Sequence, residues 1–174
     1  MSTNLQTAPP TTFPPKISAV VRDAAIEFFG TYCGMQPCEQ QDEPVVAGGS
    51  GIMGVISFFG DPVWTVALIL PEATAVTAAK LFAGFDITFD SQDMGDIVGE
   101  MSNVMAGDIV ARLDAVGLAS QMSLPTVARG HDVELLSPSN ACATRIKFKS
   151  QNGDFWFRLV KALDKLPGVR RSGT

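Results

Sequence analysis

The spacing of apolar residues changes several times along the chain, and each change marks an element. Residues 17–31 crowd Val20, Val21, Ala24, Ile26 and Phe28 together, which predicts a helix that Gly30 or Gly34 can end. The polar stretch 32–43 predicts a loop. Residues 45–59 combine Gly48, Gly49, Gly51 and Gly54 with an apolar run over 55–59, and residues 63–70 are apolar again. Gly60-Asp61-Pro62 separates the two, so the pair predicts a β-hairpin with a tight turn. Glycines inside the first strand signal bulges or the close approach of another backbone. Pro71 at a first helical position, beside Glu72, opens a second helix that runs to about Phe82.

Ser91 is placed to cap a third and longest helix, which runs to about Val116 and is closed by Gly117. Four segments with strand character follow, at 122–128, 131–136, 143–149 and 154–160, and Asn152-Gly153 is a hairpin signal between the last two. Residues 159–166 predict a final turn of helix. Residues 1–16, rich in Pro and Thr, bury little apolar surface and read as a flexible arm, and 167–174 as a tail. The order of helix, hairpin, two helices and meander predicts one α+β domain over 17–166, an antiparallel sheet packed with long helices.

Composition narrows the function classes. A chain of 174 residues, 46% apolar, suits one domain with a full core. A net charge of −5 without a basic cluster disfavours nucleic acid and anionic membrane as partners. No run approaches the roughly 20 apolar residues of a membrane helix, and the first residues lack the order of a signal peptide. Three cysteines, Cys33, Cys38 and Cys142, an odd and low count, read as free thiols in a reducing cytoplasm. Cys33 and Cys38 have no second ligand pair and His131 is the only histidine, so no zinc site is indicated. His131 reads as a surface or strand-end residue.

Candidate chemistry concentrates on the third helix, in Asp96-Ile97-Val98-Gly99-Glu100-Met101-Ser102-Asn103. Each helical residue advances by about 100°, so Asp96, Glu100 and Asn103 share one face, which Gly107 continues. Met94, Ile97, Val98, Met101, Val104 and Met105 gather on the opposite side, giving an amphipathic helix. Asp108 interrupts the apolar face without a sequence-level reason. Gly99, Ser102, Ala106 and Gly107 flank the polar stripe. Glycine inside a helix costs about 1 kcal/mol relative to alanine, so these small residues are read as leaving Glu100 and Asn103 proud for another protein to approach.

The D-x3-E-x2-N pattern Asp96…Glu100…Asn103, followed by Ala106-Gly107, resembles the signature of the CheC/CheX chemotaxis phosphatases. Ser123-Leu124-Pro125-Thr126-Val127 with Gly130, and the glycine-rich hairpin upstream, fit the same family, so the resemblance covers about 17–160. It implies a fold built on an internal pseudo-repeat. The second copy is looked for in the first helix, where Asp23…Glu27 recurs but Gly30 stands in place of the asparagine. A single working motif is the CheX pattern, whereas CheC-type members usually carry two.

The resemblance further implies a partner, a phosphorylated CheY-like response regulator, and an activity, hydrolysis of its aspartyl phosphate. In such a reaction positioning and electrostatics supply most of the acceleration. Asn103 is implied to hold the attacking water, since an amide both accepts and donates. Glu100 is implied to pair with the regulator's active-site lysine. Asp96 is read either as a partner contact or as a solvated charge. No cofactor is implied on this chain; Mg2+ would come with the regulator. Two other readings stand beside this one. One is a non-catalytic binding module, as in flagellar-switch relatives, which typically lack the Glu and Asn. The other is a dimerisation scaffold: the resemblance implies a homodimer, and an exposed edge strand could pair with its twin.

Overall fold

The computed structural model describes residues 12–40, 48–139 and 141–161. Within them the chain forms α1 (Pro15–Cys33), β1 (Cys38–Gln40), β2 (Ser50–Gly60), β3 (Trp64–Pro71), α2 (Glu72–Ala83), α3 (Gln92–Ala115), β4 (Ser120–Met122), β5 (Thr126–His131), β6 (Cys142–Ser150) and β7 (Gly153–Lys161). The strands make one antiparallel sheet in the order β1-β6-β7-β3-β2-β4, with β5 also paired to β2. The α+β architecture read from the sequence is the observed one.

Alternation along the strands sorts the core into two faces. Ile52, Ile56, Phe58, Trp64, Val66, Leu68, Leu70, Phe155, Phe157 and Leu159 point to the helices and merge with Val21, Phe29, Val98, Met101 and Ile109 in one buried cluster. Burial of each such large side chain is worth about 1.5–3 kcal/mol. Phe58 stacks on Trp64 at 4.2 Å, and Phe29 meets Phe155 at 4.2 Å. The opposite face carries a smaller cluster of Ala67, Ile69 and Trp156, with Val133 and Leu135 packed on it.

Several expectations shift. Packed structure begins before residue 17: α1 starts at Pro15, and Phe13 is buried with its ring 5.9 Å from Trp64. α1 runs two residues past Thr31, to Cys33, and is closed by Gly34 in the left-handed region (φ 59°). The loop expected over 32–43 contains strand β1, three residues that borrow their pairing from β6. The strand expected over 122–128 is broken at residues 123–125, where the chain leaves β4 and re-enters as β5 along the same edge of β2.

The strand expected over 131–136 is not formed. After Asp132 (φ 51°) the chain becomes a strap across the far face of the sheet. There Glu134 approaches Arg145 at 3.7 Å and Ser137 Oγ accepts from Arg158 at 3.2 Å. Residues 159–161, expected in a terminal helix, continue β7. The rest of that segment, the tail and residues 1–11 of the arm lie outside the described residues.

Candidate functional site on helix α3

The rotation of α3 is fixed at its N-terminus and from beneath. Ser91 Oγ accepts from the Met94 amide at 3.2 Å and donates to Thr88 O at 2.8 Å, the N-cap expected from the sequence. Met94, Val98, Met101, Met105, Ile109 and Leu113 are buried at three- and four-residue spacing. With that stripe inward, Asp96, Glu100 and Asn103 turn outward together: Asp96 and Glu100 are exposed and Asn103 is half-buried. All three line one open groove of about 700 Å3. Ile97 and Val104, expected on the buried side, are only partly covered.

The sheet supplies the opposite wall through Ile52, Leu124, Pro125, Val127 and Arg129. The 123–125 break is pinned to β2: the Ser123 amide donates to Ser57 O at 2.9 Å, and the Ser57 amide donates to Ser123 Oγ at 3.0 Å. Arg129, opposite Ile52 in register, donates from Nη1 to Phe89 O at 2.6 Å and Ser91 O at 2.7 Å, with its guanidinium 5.8 Å from the Phe89 ring centroid. It ties the sheet wall to the turn that starts α3. Neither Arg129 nor Leu124 stood out as a site residue in the sequence. Alternation within β5 puts Val127 and Arg129 on one face, but only the pairing with β2 shows that this face meets α3.

The small residues of α3 do a different job from the one expected of them. Gly99, Ser102 and Ala106 are buried. A β-carbon on Gly99 would lie 3.5 Å from Val127 Cγ2 and 3.9 Å from Pro125 Cγ, ordinary contact distances, so the chain's own sheet wall packs against this side of the helix, and Gly99 lines the groove between them. Gly107 alone of the four is exposed, with nothing within 4 Å of a β-carbon built on it. Asp96 Oδ1 accepts from Gln92 Nε2 at 3.5 Å. Glu100 and Asn103 make no side-chain hydrogen bond or ion pair among the described residues. No cluster of His, Cys, Asp or Glu able to hold a metal is present among the described residues.

The first-helix motif has another fate. The Glu27 carboxylate is bonded by Arg112 of α3, whose Nε also donates to Asp108 Oδ2 at 2.7 Å. The hydrogen bond to Asp108, with help from Glu27 and against some loss of hydration, raises the Arg112 pKa above its ordinary value. Asp108 therefore interrupts the apolar face because it serves this ion cluster.

Residues 52–149, more than half of the chain and the part that builds both walls of the groove, match the family described as chemotaxis phosphatase CheX. The chain belongs to the CheX family. Among solved structures it is similar to CheX from Desulfovibrio desulfuricans, with 23% identity and a TM-score of 0.73 over 84% of this chain and 99% of that one. It is also similar to CheX from Vibrio vulnificus, with 17% identity and a TM-score of 0.74 over 87% and 98%. A third similar structure, the CheX-CheY-BeF3-Mg2+ complex from Borrelia burgdorferi, gives 16% identity and a TM-score of 0.62 over 83% and 96%. No curated protein matches the sequence. The CheX fold accounts for the sheet order and the helix packing. No helix among the described residues is long and apolar enough to cross a membrane.

Proposed function

We propose that this CheX-family protein hydrolyses the aspartyl phosphate of a CheY-like response regulator, with Glu100 and Asn103 entering the regulator's active site. The observation that carries the reading is the shared outward face of α3: the two side chains line one groove and neither has a partner among the described residues. The Borrelia CheX was solved together with CheY, BeF3 and Mg2+, which supports a regulator as the occupant of this face. The partner would bring the metal and a lysine that offset charge on the phosphoryl group. This chain would supply what such a site lacks, a fixed water. Asn103 accepts a hydrogen bond from that water through Oδ1, which holds it in line with the carboxylate leaving group. Glu100 pairs with the partner's lysine through a charge-assisted bond and sets the register.

The test is the decay of a phosphorylated receiver domain with and without the purified protein. Wild type shortens the lifetime, and Asn103→Ala removes the effect while circular dichroism stays unchanged. A lifetime unaltered by wild type across a panel of receivers overturns the proposal.

A further inference from the structure

We infer that Leu124 is a docking residue, an apolar contact that grips the regulator surface beside its aspartyl-phosphate pocket. The inference rests on the function proposed above and concerns how the partner is held, not how phosphate is released.

Leu124 is 85% exposed, the most open of the large apolar side chains among the described residues. A scattered exposed leucine is ordinary; the position of this one is not. It lines the same groove as Glu100 and Asn103. Its backbone is also held firm. Ser123 on one side is bonded twice to Ser57, and Pro125 on the other rests near Gly99. Ser123 Oγ further donates to the Leu124 carbonyl at 2.8 Å. The chain thus breaks a continuous β4–β5 edge and pins the break, while leaving its central side chain in water. With the backbone already pinned, covering this leucine costs only its side-chain freedom and no ordering of the loop.

The occupant is fixed by what surrounds the residue. A partner whose phosphoryl group reaches Asn103 must close over the groove, and among its apolar lining residues Leu124 is the one held out in water. Asp96 and Glu100 line the groove beside it, and their negative charge suits the metal and lysine that the regulator would bring, an attraction that steers encounter and weakens at high salt. Leu124 adds contact area that does not depend on salt, so the regulator surface it meets is apolar.

Leu136 is the internal control. It is 80% exposed but lies on the strap over the far face of the sheet, between Leu135, packed near Trp156, and Ser137, bonded to Arg158.

The experiment compares wild type, Leu124→Ala, Leu136→Ala and Asn103→Ala on purified receiver domains. Turnover uses receivers phosphorylated with acetyl phosphate, and affinity is read by calorimetry on the same receivers loaded with beryllofluoride and Mg2+. Leu124→Ala is expected to raise KM and Kd about tenfold with kcat unchanged, the scale of losing most of one buried leucine. Leu136→Ala changes neither, and Asn103→Ala lowers kcat with Kd nearly unchanged. A Kd for Leu124→Ala within twofold of wild type overturns the inference, as does an equal rise for Leu136→Ala. If wild type binds the loaded receiver without accelerating phosphate loss, and Leu124→Ala weakens that binding, the docking role stands and the catalytic reading falls. If no receiver binds or turns over, both fall.

Discussion

Gly54 of β2 and Ser102 of α3 stand so close that a β-carbon on Gly54 would lie 2.0 Å from Ser102 Oγ and 3.0 Å from its Cβ. Ser102 Oγ is itself engaged, donating to Val98 O at 2.7 Å. The helix therefore rides directly on the strand, one residue before Asn103. Gly54→Ala is expected to destabilise the fold by about 1–3 kcal/mol, since an added methyl in a packed core forces a shift. Adding Ser102→Gly removes both clashing atoms, so the double variant should lose less than the two single losses added together. Urea midpoints with unchanged m-values check this. Dephosphorylation by Gly54→Ala should also slow, because the displaced helix carries Asn103 with it.

The exposed Glu100 carboxylate predicts a salt signature. Glu100→Gln preserves shape and removes charge, so it is expected to raise KM for a phosphorylated receiver about tenfold, the cost of a lost charge-assisted hydrogen bond. The variant should also flatten the rise of KM with ionic strength. Steady-state rates between 50 and about 500 mM salt separate this from Leu124→Ala, whose salt dependence should parallel wild type.

Glu27 of the first helix is paired with Arg112 of α3. Glu27→Ala is expected to leave receiver dephosphorylation unchanged and to cost at most about 1 kcal/mol of stability, as for other solvent-accessible ion pairs. A double-mutant cycle with Arg112→Ala should return a coupling of the same small size. A loss of activity in Glu27→Ala would mean that the first helix bears a second working face.

The three thiols should divide. Cys38 is exposed, whereas Cys33 and Cys142 are buried, and burial pushes the Cys33 thiol from 9.0 up to about 12. A thiol reagent at pH 8 should label one cysteine in the native protein and three in denaturant. The sign of the pH effect follows from linkage. The neutral Cys33 thiol contributes its full stability below pH 9.0, and that contribution is lost as pH rises toward about 12, because the unfolded chain ionises first. Replacing Cys33 by Ala should flatten the fall of the urea midpoint between pH 9 and about 11.

How much of this was legible in the sequence depended on how local each signal was. The long helix, its Ser91 cap, the shared face of Asp96, Glu100 and Asn103, and the two hairpins all follow from periodicity and turn residues within a short window. Asn152-Gly153 is a case in point: β6 and β7 pair from Ser150↔Gly153 onward, with Gly153 at φ 120°. Features set by distant contacts were not legible. β1 is polar and three residues long, and exists because β6 offers an edge. The kink at Leu124 depends on Ser57, 66 residues upstream of Ser123. The buried state of Gly99 and Ser102 depends on β5 and β2 crossing beneath them. Small residues beside a polar stripe look the same whether a partner or the chain's own sheet fills the space, and here the sheet fills most of it.

The strap through Val133, Leu135 and Ser137 gives the molecule a back. It lies over the sheet face away from the helices, and Leu136 stands out from it into water. A dye, a bead or a sensor surface fastened there would leave the groove of α3 facing solution. The protein can thus be immobilised or labelled from behind with the groove left open for receiver-binding assays.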